Sequence, residues 1–84
     1  MSYTVILVKT AQKQFLRLPA DLQARVTVRL RDLEAQPRPI DVKKLKGRDA
    51  WRLRVGDYRI IYEIHDRVLQ VIVIAIGHRR EIYR

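Results

Sequence analysis

Residues 51–64, WRLRVGDYRIIYEI (Trp51–Ile64), decide the fold. Gly56-Asp57 lies between two runs rich in Val, Ile, Tyr and Trp, the pattern of a β-hairpin closed by a two-residue turn with glycine first. Such a turn pairs Val55 with Tyr58, Arg54 with Arg59, Leu53 with Ile60, Arg52 with Ile61 and Trp51 with Tyr62. Strand side chains alternate between faces, so Trp51, Leu53, Val55, Tyr58, Ile60 and Tyr62 form one apolar and aromatic face. Arg52, Arg54, Arg59, Ile61 and Glu63 form the other. Arg54 then stands directly across from Arg59. Like charges so placed cost roughly a few tenths to 1 kcal/mol, and folding alone gives no reason for them. An anionic ligand would turn that cost into a binding site; a solvated arginine face on an outer strand is the plainer alternative.

Upstream of the hairpin, VKKLKG (Val42–Gly47) sets Lys43, Lys44 and Lys46 around Leu45. It reads as an edge strand or an approach loop, and lysines also suit an edge because they discourage pairing with other chains. Gln36-Pro37-Arg38-Pro39 closes a helical half, since two prolines so near each other forbid helix and central strand alike. Within that half, Leu22, Val26, Leu30 and Leu33 form an apolar stripe at helical spacing, with Asp21 as the expected N-cap. Before it, Thr10 is expected to cap a helix carrying Ala11, Phe15 and Leu18 and ended by Pro19. Tyr3–Val8 is a short β-branched run read as a first strand. Downstream, His65-Asp66-Arg67 turns the chain into Val68–Ile76, apolar on both faces as a covered central strand should be. Gly77 ends that strand, and the chain finishes with His78-Arg79-Arg80-Glu81-Ile82-Tyr83-Arg84.

This order predicts an α+β domain spanning residues 1–84. An N-terminal strand and a helical hairpin pack on one face of a mostly antiparallel sheet of four or five strands. The first strand is too far in sequence from its partners for a hairpin, which leaves a parallel pairing. The opposite face, with the arginines, stays open.

The formal net charge of +9 on 84 residues calls for an anionic partner: nucleic acid, an acidic protein or a membrane surface. The absence of cysteine removes disulfides and thiolate chemistry and fits a reducing cytoplasm. MSYTVILVK lacks the basic n-region and cleavage site of a signal peptide, and no apolar run approaches a membrane span. A soluble cytoplasmic protein without membrane association is therefore expected. His65 and His78 are the two histidines, and neither has metal-ligand spacing to a carboxylate. Ser2 is the only serine, and three glycines make no phosphate loop. No cofactor or metal is expected.

A basic set remains: Arg52, Arg54 and Arg59 on the hairpin, Lys43, Lys44 and Lys46 leading into it, and the tail group His78, Arg79, Arg80 and Tyr83. Arginine offers a planar fork matched to phosphate oxygens and stays charged at any working pH. Several such groups around one phosphate stabilise the added charge of a pentacoordinate transition state. RNA carries its own nucleophile, the 2′-hydroxyl, which attacks the adjacent phosphate in line and leaves a 2′,3′-cyclic phosphate. A protein assisting that reaction must fix the geometry, stabilise charge and supply a proton donor for the leaving 5′-oxygen. Histidine titrates near neutrality, and tyrosine can stack on a base or donate a hydrogen bond. Each of these residues also has a structural reading, as a surface histidine or a tail anchor.

VKKLKGRDAWRLRVGDYRIIYEI followed by VIVIAIGHRREIYR resembles the RelE/ParE superfamily of small toxins from type II toxin–antitoxin pairs. The resemblance covers nearly the whole chain, including the LP turn, the KLKG approach, the R-x-G-[DE]-Y-R-[IV]-[IV]-Y core and the G-H-R-x-x-[IV]-Y ending. It implies the fold already read and, for the RelE branch, metal-free cleavage of mRNA in the ribosomal A site by 2′-hydroxyl attack, which inhibits translation. It also implies a cognate antitoxin that masks the basic site, with the toxin monomeric alone and in a higher-order hetero-oligomer with its partner. Carried over by position, the functional residues fall on Arg52, Arg54, Arg59, Arg79 and Tyr83, with His78 as a further catalytic candidate. Lys43, Lys44, Lys46 and Arg80 are left to contact RNA. Arginines stand at the hairpin pair where lysines are usual, and arginine does not give up its proton, so His78 is the substitute candidate for the base. The ParE branch implies a different outcome, non-catalytic inhibition of DNA gyrase.

Overall fold

The computed structural model describes residues 2–82, with side chains through Arg80. Five strands and three helices run in the order β1 (Thr4–Leu7), α1 (Lys9–Leu16), α2 (Ala20–Ala35), β2 (Lys43–Lys44), β3 (Trp51–Val55), β4 (Tyr58–His65), β5 (Gln70–His78) and α3 (Arg79–Ile82). The sheet order is β1-β5-β4-β3-β2. β1 pairs with β5 in parallel, and every other pairing is antiparallel. The α+β architecture expected from the sequence is the one observed.

The β3–β4 hairpin has the register that its alternation dictates, from Val55 opposite Tyr58 to Trp51 opposite Tyr62. Gly56 takes φ +59°, and no positive φ occurs at Asp57, the arrangement of a turn with glycine first. Leu53, Val55, Ile60 and Tyr62 are buried against the helices together with Val26, Leu30 and Leu33 of α2. The Tyr62 ring is fully enclosed, and its hydroxyl donates to the Pro37 carbonyl at 2.8 Å.

The helix starts differ from expectation. Thr10 does not cap α1: the strand runs straight into the helix, Val8 occupies the cap position with no side-chain bond, and Thr10 lies inside the first turn. Gln12 serves the junction instead, with its backbone N–H on the Val8 carbonyl and its side-chain amide on the Leu7 carbonyl. Asp21 does not cap α2 either. Pro19 holds that position, having no N–H to satisfy, and Asp21 enters the first turn, where a carboxylate meets the positive end of the helix dipole. Gln23 closes the corner by donating to the carbonyls of Phe15, Leu16 and Leu18 at 3.1–3.2 Å.

Two features set the far end of the sheet. Ile61 pairs with Ala75 but Tyr62 pairs with Val73, so Ile74 is an extra residue bulged out of β5. In addition β1 ends at Leu7, opposite Val73, which leaves the outer edge of β5 without a strand beyond that point. The Gln14 side-chain oxygen fills the gap by accepting from the Ile76 N–H at 2.7 Å. At the opposite end, Arg38 makes a two-pronged bond to Asp66 at 2.9 and 3.2 Å and lies 5.7 Å from the Trp51 ring centre. The Tyr3 hydroxyl donates to the same carboxylate at 2.6 Å, joining the start of β1 to the turn after β4. No helix among the described residues is long and apolar enough to cross a membrane.

Candidate functional site

Cross-strand partners share a face, so the hairpin register fixes where the basic side chains stand. Arg54 is opposite Arg59, and Arg52 is opposite Lys43 of β2, which puts all four on the side of the sheet away from the helices. They converge: Lys43, Arg52, Arg54 and Arg59 line one cleft of about 130 Å³, and Asp41 is at its rim. Arg59 lies deepest, its Nε and Nη1 atoms almost wholly enclosed. Its partner across the β4–β5 ladder is Gly77, which has no side chain to crowd the guanidinium. Arg54 is exposed and anchored by its Nε, which donates to the Gly56 carbonyl at 3.0 Å.

The expected lysines separate. Lys43 belongs to the cleft. Lys44 pairs in register with Trp51, on the other face, and lies 3.7 Å from Asp49. Lys46 is exposed in the connection between β2 and β3.

The tail residues also divide. The Arg79 N–H donates to the Asp57 carbonyl at 2.9 Å, extending the β4–β5 ladder by a step and placing position 79 at the turn end of the sheet, two residues beyond Gly77. Arg79 and Arg80 are exposed. Tyr83 lies outside the described residues. His78 is not brought to the arginines. Its ladder partner is Tyr58, a residue of the helix-facing side, and the two rings meet edge to face with centres 5.6 Å apart. His78 lines a separate cleft of about 310 Å³ with Gln14, Arg17, Leu18, Tyr58, Ile76 and Gly77. The physical cause is the bulge at Ile74. One added residue reverses the alternation, so His78 points where its neighbour would otherwise have pointed.

Asp41 was not foreseen. Among the described residues it is the one carboxylate lining the arginine cleft, and Arg29 of α2 holds it at 2.8 and 3.0 Å. Strand alternation gives no signal for it, since Asp41 lies in the turn before β2, closed by the Val42 N–H on the Pro39 carbonyl at 3.2 Å. Arg29 and Arg54 also line a second cleft of about 320 Å³ between α2 and the hairpin tip, with Arg25, Val28, Val55 and Gly56. Among the described residues, no three His, Cys, Asp or Glu side chains are grouped to hold a metal.

The arrangement suits a phosphodiester. Four cationic side chains around a pocket of this size neutralise the charge of one phosphate, and guanidinium forks can bind its oxygens in pairs. One carboxylate among four cations is also a donor set that repels a divalent cation.

Comparison with known proteins agrees with this geometry. The family model for the ParE toxin of the type II toxin–antitoxin system parDE matches residues 5–83. Toxin RelG of Mycobacterium tuberculosis (strain ATCC 25618 / H37Rv) is 33% identical over 89 residues, covering 100% of this chain and 99% of that protein. Among solved structures, the archaeal RelE–RelB complex from Pyrococcus horikoshii OT3 superposes with a TM-score of 0.86 at 30% identity, covering 96% of this chain and 99% of that one. The toxin–antitoxin complex RelBE2 from Mycobacterium tuberculosis gives a TM-score of 0.82 at 29% identity, covering 94% and 100%. Sequence, fold and cleft lead to one assignment: the chain belongs to the RelE/ParE superfamily of type II toxins.

Proposed function

We propose that this toxin is a ribosome-dependent mRNA endonuclease that cuts in the A site by 2′-hydroxyl attack, and that a cognate antitoxin holds it inactive in the cytoplasm. The observation that carries the reading is the convergence of Lys43, Arg52, Arg54 and Arg59 on one phosphate-sized cleft. Arg59 and Arg54 grip the scissile phosphate and offset the charge gained in the pentacoordinate transition state. Arg52 and Lys43 hold the adjoining backbone, Arg79 adds charge from the end of β5, and Tyr83 stacks on the neighbouring base. The chemistry needs positioning and charge stabilisation rather than a metal, and the donor set of the cleft fits that need. The antitoxin enters because the solved relatives are RelE–RelB and RelBE2 complexes.

Primer extension on translating ribosomes tests this. Addition of the purified chain should give cuts within the A-site codon that are lost with Arg59→Ala or Arg79→Ala. A second reading, inhibition of DNA gyrase without catalysis, draws on the match to the ParE family model. Uncut mRNA together with blocked gyrase supercoiling would establish it in place of the first.

A further inference from the structure

The cleft as assembled has charge to spare, and its arginines and the nearby histidine leave the proton of the attacking hydroxyl unaccounted for. Arginine does not act as a base, and His78 faces the helices. The geometry points to Asp41: we infer that its carboxylate takes the proton of the attacking 2′-hydroxyl. This rests on the nuclease reading above.

Three observations carry it. Among the described residues, Asp41 is the sole carboxylate lining the cleft that holds Lys43, Arg52, Arg54 and Arg59. Its side chain is about half exposed, so an incoming ribose meets it without displacing protein. The Arg29 contacts fix its orientation from the α2 side, and an arginine–carboxylate pair leaves lone pairs on both oxygens for a further donor. The charged and titratable groups around it are therefore Arg29 from α2, Lys43 from β2, Arg52 and Arg54 from β3, and Arg59 and Tyr62 from β4. A general base needs to lie within hydrogen-bond reach of the proton it removes, and Asp41 lines the cleft proposed to take the scissile phosphate.

The step balances as follows. The 2′-O–H bond breaks, its proton passes to a carboxylate oxygen of Asp41, and the freed electron pair forms the 2′-O–P bond. The P–O5′ bond breaks in line, and its electron pair leaves on the 5′-oxygen, which takes a proton from a water molecule. Asp41 then returns its proton to the hydroxide formed, so the products are a 2′,3′-cyclic phosphate and a 5′-hydroxyl.

Single-turnover cleavage of mRNA on programmed ribosomes, at saturating toxin, decides it. Asp41→Asn should cut about 10²–10⁴-fold more slowly, the usual contribution of a general base. It should still bind ribosomes at least as tightly as the unaltered chain. Asp41→Glu should restore part of the rate. Arg29→Gln, which releases the carboxylate without removing it, should cut faster than Asp41→Asn. A thermal melt of each variant separates lost chemistry from lost folding. Asp41→Asn cutting within about threefold of the unaltered chain would overturn the inference while leaving the nuclease intact; the margin is small beside the general-base contribution. Loss of activity in Lys43→Arg with Asp41→Asn unimpaired would overturn it in favour of the lysine. No cutting by the unaltered chain sinks the nuclease reading and the role of Asp41 with it.

Discussion

Arg54 and Arg59 face each other across the β3–β4 ladder and line the same cleft. Two like charges at directly opposed positions oppose folding by about 0.2–1 kcal/mol. Replacing one should therefore move stability and activity in opposite directions. Arg54→Gln should raise the midpoint of thermal unfolding by up to about 5 °C, as expected for a domain of this size. The same change should slow mRNA cleavage and flatten the dependence of ribosome binding on salt, since one phosphate contact is lost. Calorimetry and a salt titration check the two halves.

Tyr62 links the core to the proline segment. Tyr62→Phe removes the hydroxyl from a fully buried ring and leaves the Pro37 carbonyl without that donor, which should cost about 1–3 kcal/mol in urea unfolding. Burial, reinforced by the nearby Asp41 charge, pushes the Tyr62 hydroxyl up to about 12. Its folded value exceeds the unfolded one, so its contribution is full below about pH 10 and disappears as pH rises toward 12. Alkaline unfolding should fall in that window and be shallower in Tyr62→Phe.

Asp66 predicts the acid side. The bond from Arg38, helped by that from Tyr3, holds its carboxyl down at about 2, below the ordinary 3.8. A depressed folded value stabilises above the unfolded one, so this contribution is present above about pH 4 and lost as pH falls toward 2. Asp66→Asn should flatten the fall of melting temperature over that interval. The group is exposed and the effect correspondingly sensitive to salt.

Gln14 substitutes for a missing strand. In Gln14→Ala the Ile76 N–H loses its acceptor at a part-buried edge, a change expected to cost about 1–3 kcal/mol. Amide exchange at Ile76 should accelerate selectively, while Tyr62 and Val71 retain their protection.

The hairpin was legible because apolar alternation and a Gly-Asp turn specify a single register, and its pairs agree at every position from Val55 to Trp51. The helical stripes were legible for the same reason at a different period. The helix caps were not, because Thr10 and Asp21 are good caps locally, yet the chain enters each helix from a strand or a proline that already fixes its direction. The cleft was legible in its arginines and in Lys43. Lys44 and Lys46 share its composition but not its face, and charge alone does not encode a face. Asp41 is not legible in the sequence, because its tether to Arg29 depends on a contact across the fold.

The extra residue at Ile74 gives β5 a spare length. Deleting it by a single codon would close the bulge and leave the flanking pairs Ile61–Ala75 and Tyr62–Val73 consecutive, with Tyr58–His78 and Arg59–Gly77 undisturbed. The strand can therefore lose one residue at this point and still present the same side chains on the same faces, whereas a one-residue slip without the bulge would turn the whole tail over.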